Sequence, residues 1–142
     1  MHKTIFTQAA AFLVAISLSG CVSSQQTDAA HEVLNVITDV TQPSYRVFSA
    51  FCTEAQWAIT RDAERTVAVK KAAVAKVRTE CHRVYDLFEE VIAKQKTARE
   101  ILNAATTAAD IVQAAGVVAE LKSLLQKAQA AAAAMREKGS EP

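Results

Sequence analysis

Between Pro43 and Gly116 this chain carries neither glycine nor proline. After residue 20 the only residues of either kind are Pro43, Gly116, Gly139 and Pro142. An all-β chain needs frequent turns, and turns are built largely from Gly, Pro, Asn, Asp and Ser. This chain fills its long uninterrupted interval with Ala, Glu, Lys, Gln and Leu, which favour helix. The sequence therefore predicts an all-α fold, and hydrophobic spacing divides it into helices over about 28–40, 43–60, 62–102 and 107–137.

The first predicted helix has Asp28 as N-cap and a stripe of Val33, Leu34, Ile37 and Val40 spaced three and four apart. Gln42-Pro43 is expected to end it, because proline suits a first helical turn and disfavours helix just before it. The second helix carries Phe48, Phe51, Cys52, Ala55 and Ile59 on one face, flanked by Tyr45 and Trp57. This is the bulkiest stretch and reads as core, with a ligand pocket or partner groove as the sharper alternative.

The third helix follows a coiled-coil-like heptad. Val67, Val74, Cys81, Phe88 and Leu102 share one position, Val77, Val84, Val91 and Ala98 the other, with Lys70 and Gln95 as polar interruptions. Glu90 and Lys94 are an i,i+4 pair in the favourable orientation. Asn103 is expected to take a left-handed cap. Thr107 and Asp110 resemble a capping box with Asp in place of Glu. The last helix has Ile111, Ala114, Val118, Leu121, Leu125, Ala128, Ala132 and Met135 in heptad order. Gly116 within it suggests close helix approach. The expected architecture is a helical bundle, with helices three and four forming a long antiparallel coiled-coil-like hairpin.

The first 21 residues have another character. Lys3 precedes an apolar run, Ala9 to Ile16, which closes with Leu18-Ser19-Gly20-Cys21. The run is too short for a span of ~20 residues, and a basic start, an apolar stretch and small residues before a cut form a secretory signal. The ending resembles the lipobox of bacterial lipoproteins. That resemblance implies cleavage between Gly20 and Cys21, lipidation of Cys21 by acyl chains such as palmitate, and anchorage to a bacterial membrane. Val22 in place of Asp leans toward the outer membrane. The implied organisation is a signal peptide over 1–20, a polar tether over 21–27, one helical domain over 28–137 and a disordered tail over 138–142.

With Cys21 lipidated, Cys52 and Cys81 remain. An exported chain meets an oxidising compartment, so a disulfide between them is expected. Two buried free thiols or an intermolecular bridge are the alternatives. The bridge requires the chain to turn near Thr66, midway between them. One continuous helix from Pro43 to Leu102 would hold the two roughly 43 Å apart. The residues offer only Thr60-Arg61-Asp62 as a cap there, so sequence leaves both open.

Chemistry-bearing patterns are sparse. His31-Glu32 begins a zinc motif, but Asn35 stands where its second histidine belongs. In Glu80-Cys81-His82 the thiol and imidazole are helix neighbours pointing about 100° apart. No glycine-rich phosphate loop or nucleophile elbow is present. No catalytic residue, metal ligand or cofactor is therefore expected. The chain has 16 Lys and Arg against 15 Asp and Glu, and only Lys3 of these precedes Cys21. The remainder is formally neutral, and neither nucleic acid nor anionic lipid is indicated. The expected role is that of a periplasm-facing, lipid-anchored helical envelope protein, not an enzyme. It would act through a protein partner or as a homo-oligomer, by way of its helical seams. A lysis lipoprotein resembling phage outer spanins, or an exclusion or immunity lipoprotein that blocks an incoming phage, plasmid or toxin, would share these features.

Overall fold

The structure is a computed structural model. It describes residues 24–139, and side-chain surroundings for residues 27–138. The expected signal peptide over 1–20, Cys21 with the two residues after it, and residues 140–142 lie outside the described residues. The described residues form an all-α helical bundle, as expected, with three helices and no strand among them: α1 (Ser24–Arg61), α2 (Val67–Ala104) and α3 (Ala108–Gly139).

The heptad pattern explains the packing. In α2 the buried residues are Cys81, Val84, Phe88, Val91, Gln95, Ala98 and Leu102, and in α3 Ile111, Ala114, Val118, Leu121, Leu125, Ala128 and Ala132. Both rows alternate steps of three and four, the spacing that keeps one face toward a partner helix. In α1 the same alternation runs through Ala30, Leu34, Ile37 and Thr41. Val40, expected in the core, is displaced from that row and is exposed.

The expected break at Pro43 does not occur, and the first two predicted helices are one. A helical proline costs about 3 kcal/mol. Here the helix buries Ile37 and Thr41 before it and Phe48 after it. Each large apolar side chain so buried contributes roughly 1.5–3 kcal/mol, enough to carry the helix through. The Ser44 hydroxyl also donates to the Val40 carbonyl at 2.8 Å. Helix begins by Ser24, so Asp28 is no N-cap and residues 24–27 of the expected tether are helical. At the other end, Lys138 and Gly139 belong to α3 and not to a disordered tail.

The described residues form two compact units, each receiving a segment from all three helices. In the first, α1 up to Asp39 packs with Ile92–Ala104 of α2 and Ala108–Ser123 of α3. Leu34, Ile37, Leu102, Ile111 and Leu121 fill its core. Arg99 ties α2 to α1 by donating to Asn35 Oδ1 at 3.2 Å and Thr38 Oγ1 at 3.1 Å. Lys94 reaches Glu120 of α3 at 2.7 Å.

The turn into α3 is the predicted capping box. Asp110 Oδ2 accepts from the Thr106 and Thr107 backbone N–H groups and the Thr107 hydroxyl, at 2.9, 2.8 and 2.9 Å. Thr107 Oγ1 accepts in return from the Asp110 N–H at 3.3 Å. Asn103 is not left-handed: it lies within α2, and no described non-glycine residue has positive φ. Gly116 permits no close approach either, since a Cβ there would meet nothing within 4 Å.

In the second unit, Val40–Arg61 packs with Val67–Val91 and with α3 from Leu124 onward. Phe48, Phe88, Cys52, Cys81 and Leu125 are buried. Tyr45, Phe48, Tyr85 and Phe88 make an edge-to-face cluster, with the Phe48–Tyr85 centroids 5.4 Å apart and Tyr45–Phe88 5.8 Å apart. Such pairs add ~0.5–1.5 kcal/mol each beyond burial. Packing accounts for the aromatic stretch, and no opening for a ligand is needed to explain it. Gln129 of α3 donates to Ser44 Oγ at 3.2 Å.

Candidate functional site

Cys52 and Cys81 occupy facing seam positions of α1 and α2. The structure joins them in a disulfide with a Cα–Cα separation of 6.2 Å, and both are buried. The chain turns between them, as a bridge requires. Asp62 organises the turn: its Oδ1 accepts from the Glu64 N–H at 3.0 Å and its Oδ2 pairs with Arg65 at 2.7 Å. Thr66 then caps α2, its Oγ1 accepting from the Val69 N–H at 3.4 Å. Lys70 donates to the Thr60 carbonyl at 3.0 Å, placing a cation at the C-terminal end of α1. The third predicted helix thus begins at Val67, not at residue 62.

Beyond the disulfide the seam is open. No residue from Thr53 to Glu80 is buried. Val74 and Val77 are half-buried, and Val67, expected in the seam, is 83% exposed. The length of α3 explains this. Counted upward from the Gln129–Ser44 contact at equal rise, Gly139 comes level with Glu54. Among the described residues no third helix lies beside the rest of the α1–α2 hairpin. The same hairpin is charge-segregated. Val67–Thr79 holds Lys70, Lys71, Lys76 and Arg78 with no acid, whereas Glu80, Asp86, Glu89 and Glu90 follow with only Arg83 between them.

The remaining chemistry-bearing residues stay dispersed. Cys21 and Gly20, the expected lipidation and cleavage site, lie outside the described residues. His82 stacks edge-on to Tyr85 at 6.3 Å and is exposed. Neither it nor His31 joins a metal-binding group: no cluster of three or more His, Cys, Asp or Glu suited to a metal occurs among the described residues. No buried side-chain nitrogen or oxygen among them lacks a hydrogen-bond partner. Asp110 and Glu120 are carboxyls held below their ordinary range, Asp110 by the Thr106 and Thr107 hydrogen bonds and Glu120 by hydrogen bonding to Lys94 and its charge. Both are solvent-facing, and their work is to hold helices together.

What the geometry presents is therefore surface. Large exposed apolar side chains include Val40, Val47 and Trp57 on α1 and Val67 and Val69 at the start of α2. The Arg61 guanidinium lies 5.1 Å from the Trp57 ring centroid and fixes that indole against its own helix. The charge segregation and the shortness of α3 were both readable as residue counts. The exposed row on α1 was visible only as spacing. Comparison with known protein families, curated proteins and solved structures finds no match.

Proposed function

We propose that this chain is a lipid-anchored, periplasm-facing helical envelope protein that acts through protein–protein contacts, as a structural or accessory subunit. The observation that carries the reading is Leu18-Ser19-Gly20-Cys21 at the end of a short apolar run. Cleavage there would leave Cys21 as the first residue. Its thiolate is the nucleophile that forms the thioether to lipid, and more than one acyl chain makes the anchor durable. Val22 favours the outer membrane. Among the described residues no helix is long and apolar enough to cross a membrane. A cystine-stapled hairpin suits an oxidising compartment. Heptad-built helices with exposed apolar positions suit a protein that works by being touched. No catalytic group, metal, cofactor or nucleic acid enters this role.

Metabolic labelling with a fatty-acid analogue tests the anchor: the native chain takes the label and the Cys21→Ser chain does not. Label persisting in Cys21→Ser would sink the lipoprotein reading. Crosslinking in native membranes tests the contacts, with a partner or an oligomer expected, and recovery of neither would count against the role.

A further inference from the structure

The heptad core is not the only row on α1. Val40, Pro43, Val47, Ala50, Glu54, Trp57 and Arg61 also alternate steps of three and four, and every one is exposed. At 100° per residue this row points more than 90° away from the direction of Phe48 and Cys52, which face the core. Val40 is 40% exposed, Val47 53% and Trp57 51%. A helix with a second, uncovered seam is built to be covered on that side as well.

We propose that this outer face of α1 is the homodimerisation surface, paired antiparallel with the same face of a second copy. The row itself selects the occupant. Set antiparallel about a two-fold axis between Phe48 and Ser49, Val40 faces the partner's Trp57, Val47 faces the partner's Ala50, and Pro43 faces the partner's Glu54. Large then meets small or β-branched at each apolar level. Arg46 falls within one turn of the partner's Glu54, and symmetry supplies that ion pair twice. Such an isologous patch is complementary to itself. A parallel arrangement would stack Trp57 on Trp57 and set Glu54 beside Glu54 and Arg61 beside Arg61, which like-charge repulsion disfavours. The Trp57–Arg61 contact holds the indole in place before association, which lowers the ordering cost of binding. The inference deepens the protein-contact role proposed above and does not depend on the lipid anchor.

The test uses the chain from residue 21 with Cys21→Ser, which removes the anchor and keeps every described helix. Sedimentation should show a monomer–dimer equilibrium. Val47→Glu with Trp57→Glu should abolish the dimer while leaving the helical circular-dichroism melt in place. Arg46→Glu should weaken it roughly tenfold, and adding Glu54→Arg to the same chain should restore it. Spin labels should lie roughly 10 Å apart at residue 47 and roughly 27 Å apart at residue 57. A monomer at every concentration, a dimer indifferent to Val47→Glu with Trp57→Glu, or labels as close at 57 as at 47 would overturn the proposal. Trp57-dependent binding to anionic vesicles by a chain that stays monomeric would assign the face to lipid instead. If the dimer fails while membrane crosslinks to another protein persist, the contact role stands and only this surface is lost.

Discussion

The two turns between the described helices close by different physics. At the α2–α3 turn, Leu102 and Ile111 are buried on either side of the loop, and Thr107 and Asp110 cap the new helix reciprocally. At the α1–α2 turn nothing nearby is buried, and the hairpin is closed by a covalent bond between Cys52 and Cys81 instead. Where three helices meet, burial fixes the turn. Where only two of the described helices run side by side, a short apolar row cannot, and the cystine closes the turn. The same heptad spacing runs through both arms, so spacing alone does not confer a core.

Removing the covalent closure should have the largest effect. The Cys52→Ala, Cys81→Ala chain should lose roughly 3–4 kcal/mol, the closure entropy of a loop this long. Hydrogen exchange should rise first between Thr53 and Glu80, with residues 102–111 protected until global unfolding. Equal loss of protection at both turns would mean that the two turns are closed in the same way. Next in size, Leu102→Ala should cost about 3 kcal/mol, from lost transfer energy plus a cavity. Ile59→Ala, at the half-buried side of the other turn, should cost well under half of that. Urea midpoints of the two variants measure the ratio, and equal costs would mean that the hairpin end is packed in solution.

Much of this was legible in the residues, for identifiable reasons. The α2 and α3 seams from Cys81 and Ile111 onward follow strict heptads, and burial kept to them. The capping box needs only Thr107 and Asp110 three apart. The disulfide and the turn were tied together by arithmetic: facing cysteines demand a turn midway. The features that spacing does not show depend on comparison between helices. Pro43 reads as a break by local propensity, which carries no information about the burial on either side of it. Val40 reads as core because it lies three residues from Ile37, but Ala30, Leu34 and Thr41 fix the row differently. Two stripes on one helix cannot be ranked until it is known which one is covered. Val67 keeps the heptad spacing of the seam, but the described part of α3 stops short of it.

Smaller effects probe the packed turn alone. Thr107→Ala should cost about 1 kcal/mol by removing the cap of α3. Gly116→Ala, a few residues on, should stabilise by about 1 kcal/mol, because the added methyl meets open space and a helical glycine is relieved. Thermal midpoints moving in opposite directions would check both. A destabilised Gly116→Ala chain would show that the glycine serves a contact after all.

Acid separates the two closures most finely. Asp110 and Glu120 are both held below their ordinary carboxyl range, by the Thr106 and Thr107 hydrogen bonds and by Lys94 respectively. A carboxyl with a folded pKa below its unfolded value adds stability that is intact at neutral pH and is lost as pH falls through the folded value. The window therefore opens near the ordinary carboxylate values, about pH 4, and extends downward. The Cys52–Cys81 bond titrates nowhere in this range. Urea midpoints measured against pH should thus fall below about pH 4 for the native chain and fall less steeply for Asp110→Asn with Glu120→Gln. The Cys52→Ala, Cys81→Ala chain should follow the native slope from a lower starting point. Parallel curves for the native and the carboxyl-substituted chains would mean that capping and the Lys94 pair do not hold the packed turn. A slope altered by loss of the cystine would mean that the two closures are energetically coupled.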